Sequence, residues 1–269
     1  MKLEIKHNIN YDFRGSVKTG YHKVLLKPKN NSYQKIIKWE LTVVGGIKEI
    51  TSFDQFENYS QIYRVKNNVN KIEYSIDSLI ETKSNNGISK NSRRDIPLWC
   101  YVNNYSITRP GNALINFYKE NKLNKKQLIA SLHNLSYKIR ERVKYKKGKT
   151  NFKTLAEESL NKGYGVCQDH THIFLSVVRQ NNIPCRYISG YFLPTKYEKN
   201  LSMHAWAEVY VENLGWIGLD VSNGVSPNER YVIVAKGFDY NYATPIKGII
   251  SGFVKEQLNS KLKIKIADQ

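Results

Sequence analysis

Over the first hundred residues apolar side chains recur at every second position. Leu3, Ile5, Ile9, Tyr11 and Phe13 share odd parity. Ile37, Trp39, Leu41 and Val43 repeat the alternation ahead of Gly45 and Gly46, and Ile72, Tyr74 and Ile76 do so again. A period of two marks a strand with one buried face, and the Asn- and Gly-containing turns between these runs predict an antiparallel sheet or sandwich. Residues 81–96 carry no apolar periodicity beyond Ile88, which predicts an exposed, mobile linker. From about residue 111 the period changes. Leu128, Leu132, Leu135 and Ile139 fall at helical spacing and predict a helix over roughly 125–143. Residues 154–160 predict a shorter helix, stopped by Gly163. The pattern divides the chain into an all-β N-terminal domain, residues 1–100, and a second domain of helices and strands, residues 101–269.

The second domain holds the candidate chemistry. Gly163, Tyr164, Gly165 and Val166 lead directly into Cys167, and Ile173, Phe174, Leu175, Val177 and Val178 beyond it are apolar enough for a buried helix. Cys167 is then expected in the first turn. Unpaired amides and the positive end of the helix dipole favour a thiolate there. A free thiol titrating near ~8.5 falls to roughly 3.5–7.5 in such settings. The same amides can receive the oxyanion of a tetrahedral intermediate. Gly163 and Gly165 allow a sharp turn and leave room for a substrate. Taken alone, the pattern equally fits a small buried residue that begins a helix. Cys185, after Ile183 and Pro184 at an apparent strand entrance, reads as structural. Cys100, between Trp99 and Tyr101, has no catalytic context.

A strand is expected at residues 203–211, with His204, Trp206 and Glu208 on one face. A turn at 212–215 leads to a second strand ending at Asp220. The hairpin brings His204 and Asp220 close without fixing the register. A cysteine nucleophile needs a base to pair with it and to protonate the departing amine, and an acid to orient that base. Cys167, His204 and Asp220 supply the three in chain order. His170, three residues after Cys167 on the same helix face, is the second candidate for the base, although it has no evident acid partner. His172 is expected to pack behind the site, and His7, His22 and His133 to be structural. Glu208 lies about 13 Å along the strand from His204 and is expected to meet solvent or substrate. Tyr164 and Trp206 are the residues expected to touch substrate, with the Tyr164 region as a second oxyanion donor.

Composition narrows the classes. A hydrophobic fraction of 41% with 12% aromatics is enough for a core. The first ten residues hold no apolar run of signal-peptide length, and no stretch approaches the ~20 apolar residues of a membrane helix. A cytoplasmic protein without a membrane partner is expected. Three cysteines do not form a disulfide framework, and no CxxC or HExxH motif suggests a metal, so no cofactor is expected. The formal net charge of +19 has two readings. One is codon drift, since the chain is rich in Lys, Asn, Ile and Tyr; the other is a surface for a polyanion. The basic residues are dispersed, densest at Lys144, Lys146, Lys147 and Lys149, and no nucleic-acid-binding motif accompanies them.

At these residues the sequence resembles the transglutaminase-like superfamily, in particular bacterial members with an N-terminal β domain. Gly165 to Asp169 with His172 resembles its cysteine motif, and residues 183–191 its next strand, with Cys185 where a small residue such as Ala is usual. Residues 204–210 are similar to its histidine motif. Gly215 and Trp216 through Asp220, with Asn223 and Gly224, resemble its acid motif. Residues 228–230 and 237–240 look like the tail of its domain, and residues 5–28 resemble its N-terminal region. The resemblance implies a papain-like α+β core, with a nucleophile helix packed on an antiparallel sheet. It also implies acyl transfer by Cys167, His204 and Asp220 on a protein or peptide amide. Hydrolysis is the expected outcome; transglutamination onto an amine is the alternative, and a non-catalytic basic binding module a further one. His170 stands where an aromatic is usual, Phe238 where Arg is common, and Val221 in place of a frequent Pro. The acidic calcium clusters of animal relatives are not evident.

Overall fold

A computed structural model describes residues 1–89, 96–196, 198 and 200–267. The chain opens with β1 (Lys2–Lys27), β2 (Gln34–Val44), β3 (Gly46–Phe53), β4 (Tyr59–Val65), β5 (Lys71–Thr82) and the short β6 (Ile88–Ser89). Two helices follow, α1 (Asn112–Glu120) and α2 (Leu128–Arg142), then β7 (Lys144–Tyr145), α3 (Ala156–Lys162), β8 (Tyr164–Gly165) and α4 (Cys167–Gln180). The remainder is β9 (Cys185–Phe192), β10 (His204–Val211), β11 (Gly215–Leu219), β12 (Tyr231–Gly237), α5 (Tyr240–Ala243) and β13 (Ile246–Ile266).

The alternation in β1 works as expected: Leu3, Ile5, His7, Ile9, Tyr11 and Phe13 are all buried. In β2 a bulge between Ile36 and Lys38 shifts the parity. Trp39, Leu41 and Val43 turn toward the core, while Ile37, expected on the same face, is 47% exposed. The predicted helix over 125–143 is a 3₁₀ turn, Lys125–Gln127, leading into α2, which buries Leu132, Leu135 and Ile139. The next helix is α3, and Gly163 closes it in the left-handed conformation (φ 70°) that glycine adopts without strain.

Five strands of the first sheet run in the order β2-β5-β1-β4-β3. One edge of β1 is shared, with β5 along Lys2–Asp12 and β4 along Tyr21–Lys27; the other edge is lined by β13 from Leu3↔Ile266 to Val24↔Ile246. The chain's last strand returns to the N-terminal sheet, so that sheet is built from both ends of the sequence. The linker expected at 81–96 is corrected: Ile88 and Ser89 pair with Ile217 and Trp216 of β11, and Ser89 is buried. Residues 90–95 of that expectation lie outside the described residues.

The second sheet, β12-β9-β10-β11-β6, is antiparallel. It carries α4 on one face, with α1, α2 and α3 around the helix. Twelve of the fourteen α4 residues are buried, Gln168 and Gln180 being the others, so the helix is clamped from both sides. The sheets meet where Leu3, Ile5, Ile80, Leu262 and Ile264 pack on Tyr191, Val232 and Val234. Two amide side chains complete the joint. Gln34 donates to the Ile233 carbonyl (2.9 Å) and accepts from its amide (2.8 Å); Asn58 does the same at Lys236 (2.8 Å each). They stand in for a neighbouring strand along the outer edge of β12. No described helix is long and apolar enough to cross a membrane.

Candidate active site

Cys167 is the first residue of α4, and its amide has no partner within the helix. Asp169 Oδ2 accepts from the Val166 amide (2.8 Å) and from the Thr150 hydroxyl (2.7 Å), tying the entry turn to the helix. Gly165 is required there: a Cβ would lie 2.6 Å from the Asp169 Cβ and from the Ser159 hydroxyl oxygen.

His204 begins β10, and Asp220 follows β11. The pairing Ala207↔Leu219 aligns the two strands. His204 Nε2 donates to Asp220 Oδ2 at 2.6 Å. The same oxygen accepts from Asn223 Nδ2 (2.7 Å) and the Tyr231 hydroxyl (2.8 Å), and Oδ1 accepts from the Ser222 and Asn223 amides (3.1 Å each). Burial would raise the Asp220 carboxyl, but the His204 charge and these donors outweigh it and hold it low. Burial likewise disfavours a charged His204, yet the Cys167 and Asp220 charges and their hydrogen bonds push the imidazole up to about 10. With Nε2 committed to Asp220, Nδ1 is left for the cysteine sulfur. Phe192 (ring centroids 5.2 Å apart) and Trp206 (6.3 Å) flank the ring.

Cys167 and His204 open into one cleft of about 410 Å³. Its walls include Tyr145, Tyr187 and Tyr240, and, from the first sheet, His7, Ile9 and Tyr11. A second recess of about 230 Å³ shares His204, Tyr145 and Lys147 with the cleft and is lined further by Phe192, Ser222 and Asn223. Among the described residues no group of three or more His, Cys, Asp or Glu side chains is arranged to hold a metal ion.

Three sequence expectations change. Trp206 does not line the cleft: it is 1% exposed and turned into the second sheet. The absent side chain at Gly190 makes room for it, since a Cβ there would come 2.5 Å from the indole. Tyr164 is not a cleft residue either. Its ring lies beneath the Lys146 ammonium (5.7 Å), and its carbonyl accepts from Ser159 Oγ (2.9 Å). Its place is taken by Tyr145, which the parallel β7–β8 register sets beside Gly165. Glu208 meets neither solvent nor substrate. It is buried, ion-paired with Arg186 (2.6 Å) and hydrogen-bonded by Ser89 (3.2 Å), while the Arg186 guanidinium lies 3.9 Å above the Trp216 ring.

The competing groups are accounted for by geometry. His170 has both nitrogens occupied, by Ser222 Oγ (3.0 Å) and the Val143 carbonyl (2.9 Å), and burial holds it near 4. His172 accepts from the Tyr240 amide (3.2 Å), lies tilted against the Tyr187 ring (centroids 5.1 Å apart) and is lowered by burial to about 3. Burial pushes the Cys185 thiol up to about 11. The sequence expectations missed Tyr231, because no spacing rule connects it to Asp220. They also treated His7 as merely structural; only the pairing of the chain's two ends puts it on the cleft.

Comparison with known proteins agrees with this architecture. Residues 117–221 match the model of the transglutaminase-like superfamily, and residues 3–81 that of the bacterial transglutaminase-like N-terminal region. An uncharacterized protein of Mycobacterium tuberculosis is 24% identical over 276 residues, covering 93% of this chain and 87% of that protein. One of Mycobacterium leprae is 23% identical over 267 residues, covering 93% and 94%. The crystal structure of a protein from Cytophaga hutchinsonii, described as a candidate cysteine protease, superposes with a TM-score of 0.79 at 20% identity, covering all of this chain and 91% of that one; this likeness concerns the fold. Residues 117–221 thus carry a transglutaminase-like core, preceded at residues 3–81 by a bacterial transglutaminase-like N-terminal region.

Proposed function

We propose that the protein is a cysteine-dependent amide hydrolase that works through a thioester on protein or peptide substrates. The observation that carries the proposal is the His204–Asp220 bond of 2.6 Å in the same cleft as a cysteine at a helix start. In this reading the Cys167 sulfur adds to the amide carbonyl carbon, and the charge on oxygen is met by the Cys167 backbone N–H. His204, held as imidazolium beside the sulfur, gives its proton to the departing nitrogen as the C–N bond breaks. The thioester is then opened by water, with His204 taking the water's proton, and the Cys167 sulfur leaves the acyl carbon, restoring its pair with the imidazolium. Asp220 keeps the ring turned and supports its positive charge throughout.

The departing amine is protonated by His204, so it leaves on the side where the smaller recess adjoins that ring. The recess opens beside Ser222, Asn223 and the Lys147–Glu198 pair, polar surroundings that suit water as the incoming group. This favours hydrolysis over transfer. Glutamine-containing peptides are incubated with wild type and with Cys167→Ala, with and without a primary amine. Release of ammonia or of a cleaved peptide without added amine, abolished in Cys167→Ala, is the expected result. Product that forms only when amine is present identifies a transglutaminase instead. Alkylation by iodoacetamide tests the nucleophile itself: Cys167 is expected to react well ahead of Cys100 and Cys185, and to lose that lead in His204→Ala. Equal rates at all three thiols would remove the basis of the proposal.

A further inference from the structure

Part of the cleft wall is made by the first sheet, outside the superfamily core. β1 and β13 are antiparallel neighbours, with Ile9 opposite Ser260 and Tyr11 opposite Leu258. Residues directly opposite share a sheet face, and so do second neighbours along each strand. His7, Ile9, Tyr11, Leu258 and Ser260 therefore lie on one face, and all five line the cleft that holds Cys167 and His204. A slip of one residue between the two ends of the chain would turn this set away.

The set contains a built polar element. His7 is 2% exposed, and both its nitrogens are engaged, Nε2 with the Ser260 hydroxyl at 2.9 Å and Nδ1 with the Tyr191 hydroxyl at 3.1 Å. Burial lowers its pKa to about 4, so it is neutral at physiological pH. A hydroxyl has more than one hydrogen-bonding position, so Ser260 has capacity beyond its bond to His7. Around this element are Ile9, Tyr11 and Leu258. No carboxylate is among the described lining residues, and their one ammonium, Lys147, is on the β7–β8 side and paired with Glu198 at 3.5 Å. A charged substrate side chain would lose its hydration here, and the carboxylate beside it, Glu256 on the same face beyond Leu258, is raised by burial and is a weak counter-ion, whereas an uncharged side chain would lose little. With the amine leaving through the smaller recess, as in the proposed function, this wall faces the acyl half of the substrate.

We propose that the β1–β13 face is the acyl-side specificity subsite, and that it selects a long, uncharged side chain next to the scissile carbonyl: glutamine, leucine or tyrosine rather than glutamate or lysine. The inference rests on Cys167 being the nucleophile, and the test separates the two claims. Wild type and Leu258→Glu are treated with chloromethyl ketones that differ only in their side chain (Gln, Leu, Tyr, Glu, Lys). Displacement of chloride by the Cys167 sulfur is followed by mass spectrometry. Leu258 is 55% exposed, so the new carboxylate is compatible with folding. Iodoacetamide, too small to fill the subsite, reports the nucleophile alone.

In wild type the Gln, Leu and Tyr reagents are expected to label about tenfold or more faster than the Glu and Lys reagents. In Leu258→Glu the Leu-to-Lys ratio is expected to fall about tenfold, with iodoacetamide still selecting Cys167. Equal rates across the panel in wild type, or an unchanged ratio in the variant, overturn the subsite while leaving the nucleophile standing. A wild type in which iodoacetamide does not select Cys167 overturns both.

Discussion

At the scale of single residues, the site is a chain of hydrogen bonds in which Asp220 does most of the orienting. Its two oxygens accept five bonds, so rotation of the carboxylate would break several at once. Charge-assisted bonds of this kind are worth about 1.5–3 kcal/mol each. Tyr231→Phe removes one donor without creating a charge; the carboxylate oxygen it shared then draws harder on the imidazolium, so the His204 pKa is expected to rise further above its usual value. Asp220→Asn also loses the charge, and a loss of roughly 10²–10⁴-fold in kcat/KM is expected. NMR titration of the His204 ring together with turnover checks both. An unchanged ring titration in Tyr231→Phe would mean that the tyrosine only packs. The grouping of Cys167, His204 and Asp220 was legible because each stands in a distinct local context: a Gly turn before a helix, a strand start, a strand end. Tyr231 and Tyr145 have no such context. Trp206 was misplaced because alternation along a strand gives the face but not what covers it; here the covering residue is a tyrosine, and the space comes from Gly190.

At the scale of elements, the two sheets are held in register by side chains acting as backbone. Gln34 and Asn58 each close a pair of hydrogen bonds on β12, whose outer edge would otherwise present buried, unpaired groups. Gln34→Ala or Asn58→Ala strands a donor and an acceptor, so each is expected to cost about 1–3 kcal/mol. Chemical denaturation measures this as a lower midpoint. Gln34→Glu provides a control, because it sets a buried carboxylate oxygen against the Lys29 and Ile233 carbonyls, and a loss at least as large as that of Gln34→Ala is expected. The strands β1 and β5 and the helix α2 were readable because each buries a run of one periodicity, β2 only beyond its bulge, and α4 because it is apolar after a Gly turn. β13 was not. Leu262, Ile264 and Ile266 alternate with lysines, but Gly248, Gly252 and the polar residues 255–257 break the longer pattern, and its pairing with β1 spans almost the whole sequence. The subsite on that pairing was consequently invisible from either end alone.

At the scale of the molecule, five histidines, His7, His22, His170, His172 and His204, divide into two groups shifted to opposite sides of neutrality. Burial lowers His7, His22 and His170 to about 4 and His172 to about 3, against about 6.5 in an unfolded chain. Each contributes stability that is complete above pH 6.5 and lost as pH falls toward the folded value, because only the unfolded state then takes up a proton. At pH 5 the loss is about 2 kcal/mol for each residue at about 4. The four together rival a total stability of about 5–15 kcal/mol. Asp169 and Asp239, raised by burial, oppose this loss, while Glu208 and Asp220, lowered by their partners, add to it at more acid pH. His204 has the other sign. Raised to about 10, it contributes fully below pH 6.5 and progressively less as pH climbs to 10. The expected profile therefore has its maximum near pH 6.5–7, falls steeply between pH 6 and 4, and declines gently on the alkaline side. Denaturant midpoints across pH 4–10 trace it. His204→Ala should flatten the alkaline limb and leave the acid limb in place, whereas His22→Gln, buried at the Tyr74 contact and not itself lining the cleft, should make the acid limb shallower without changing the alkaline one. An acid limb that is equally steep in His22→Gln would show that buried imidazoles are not what limits the fold at low pH.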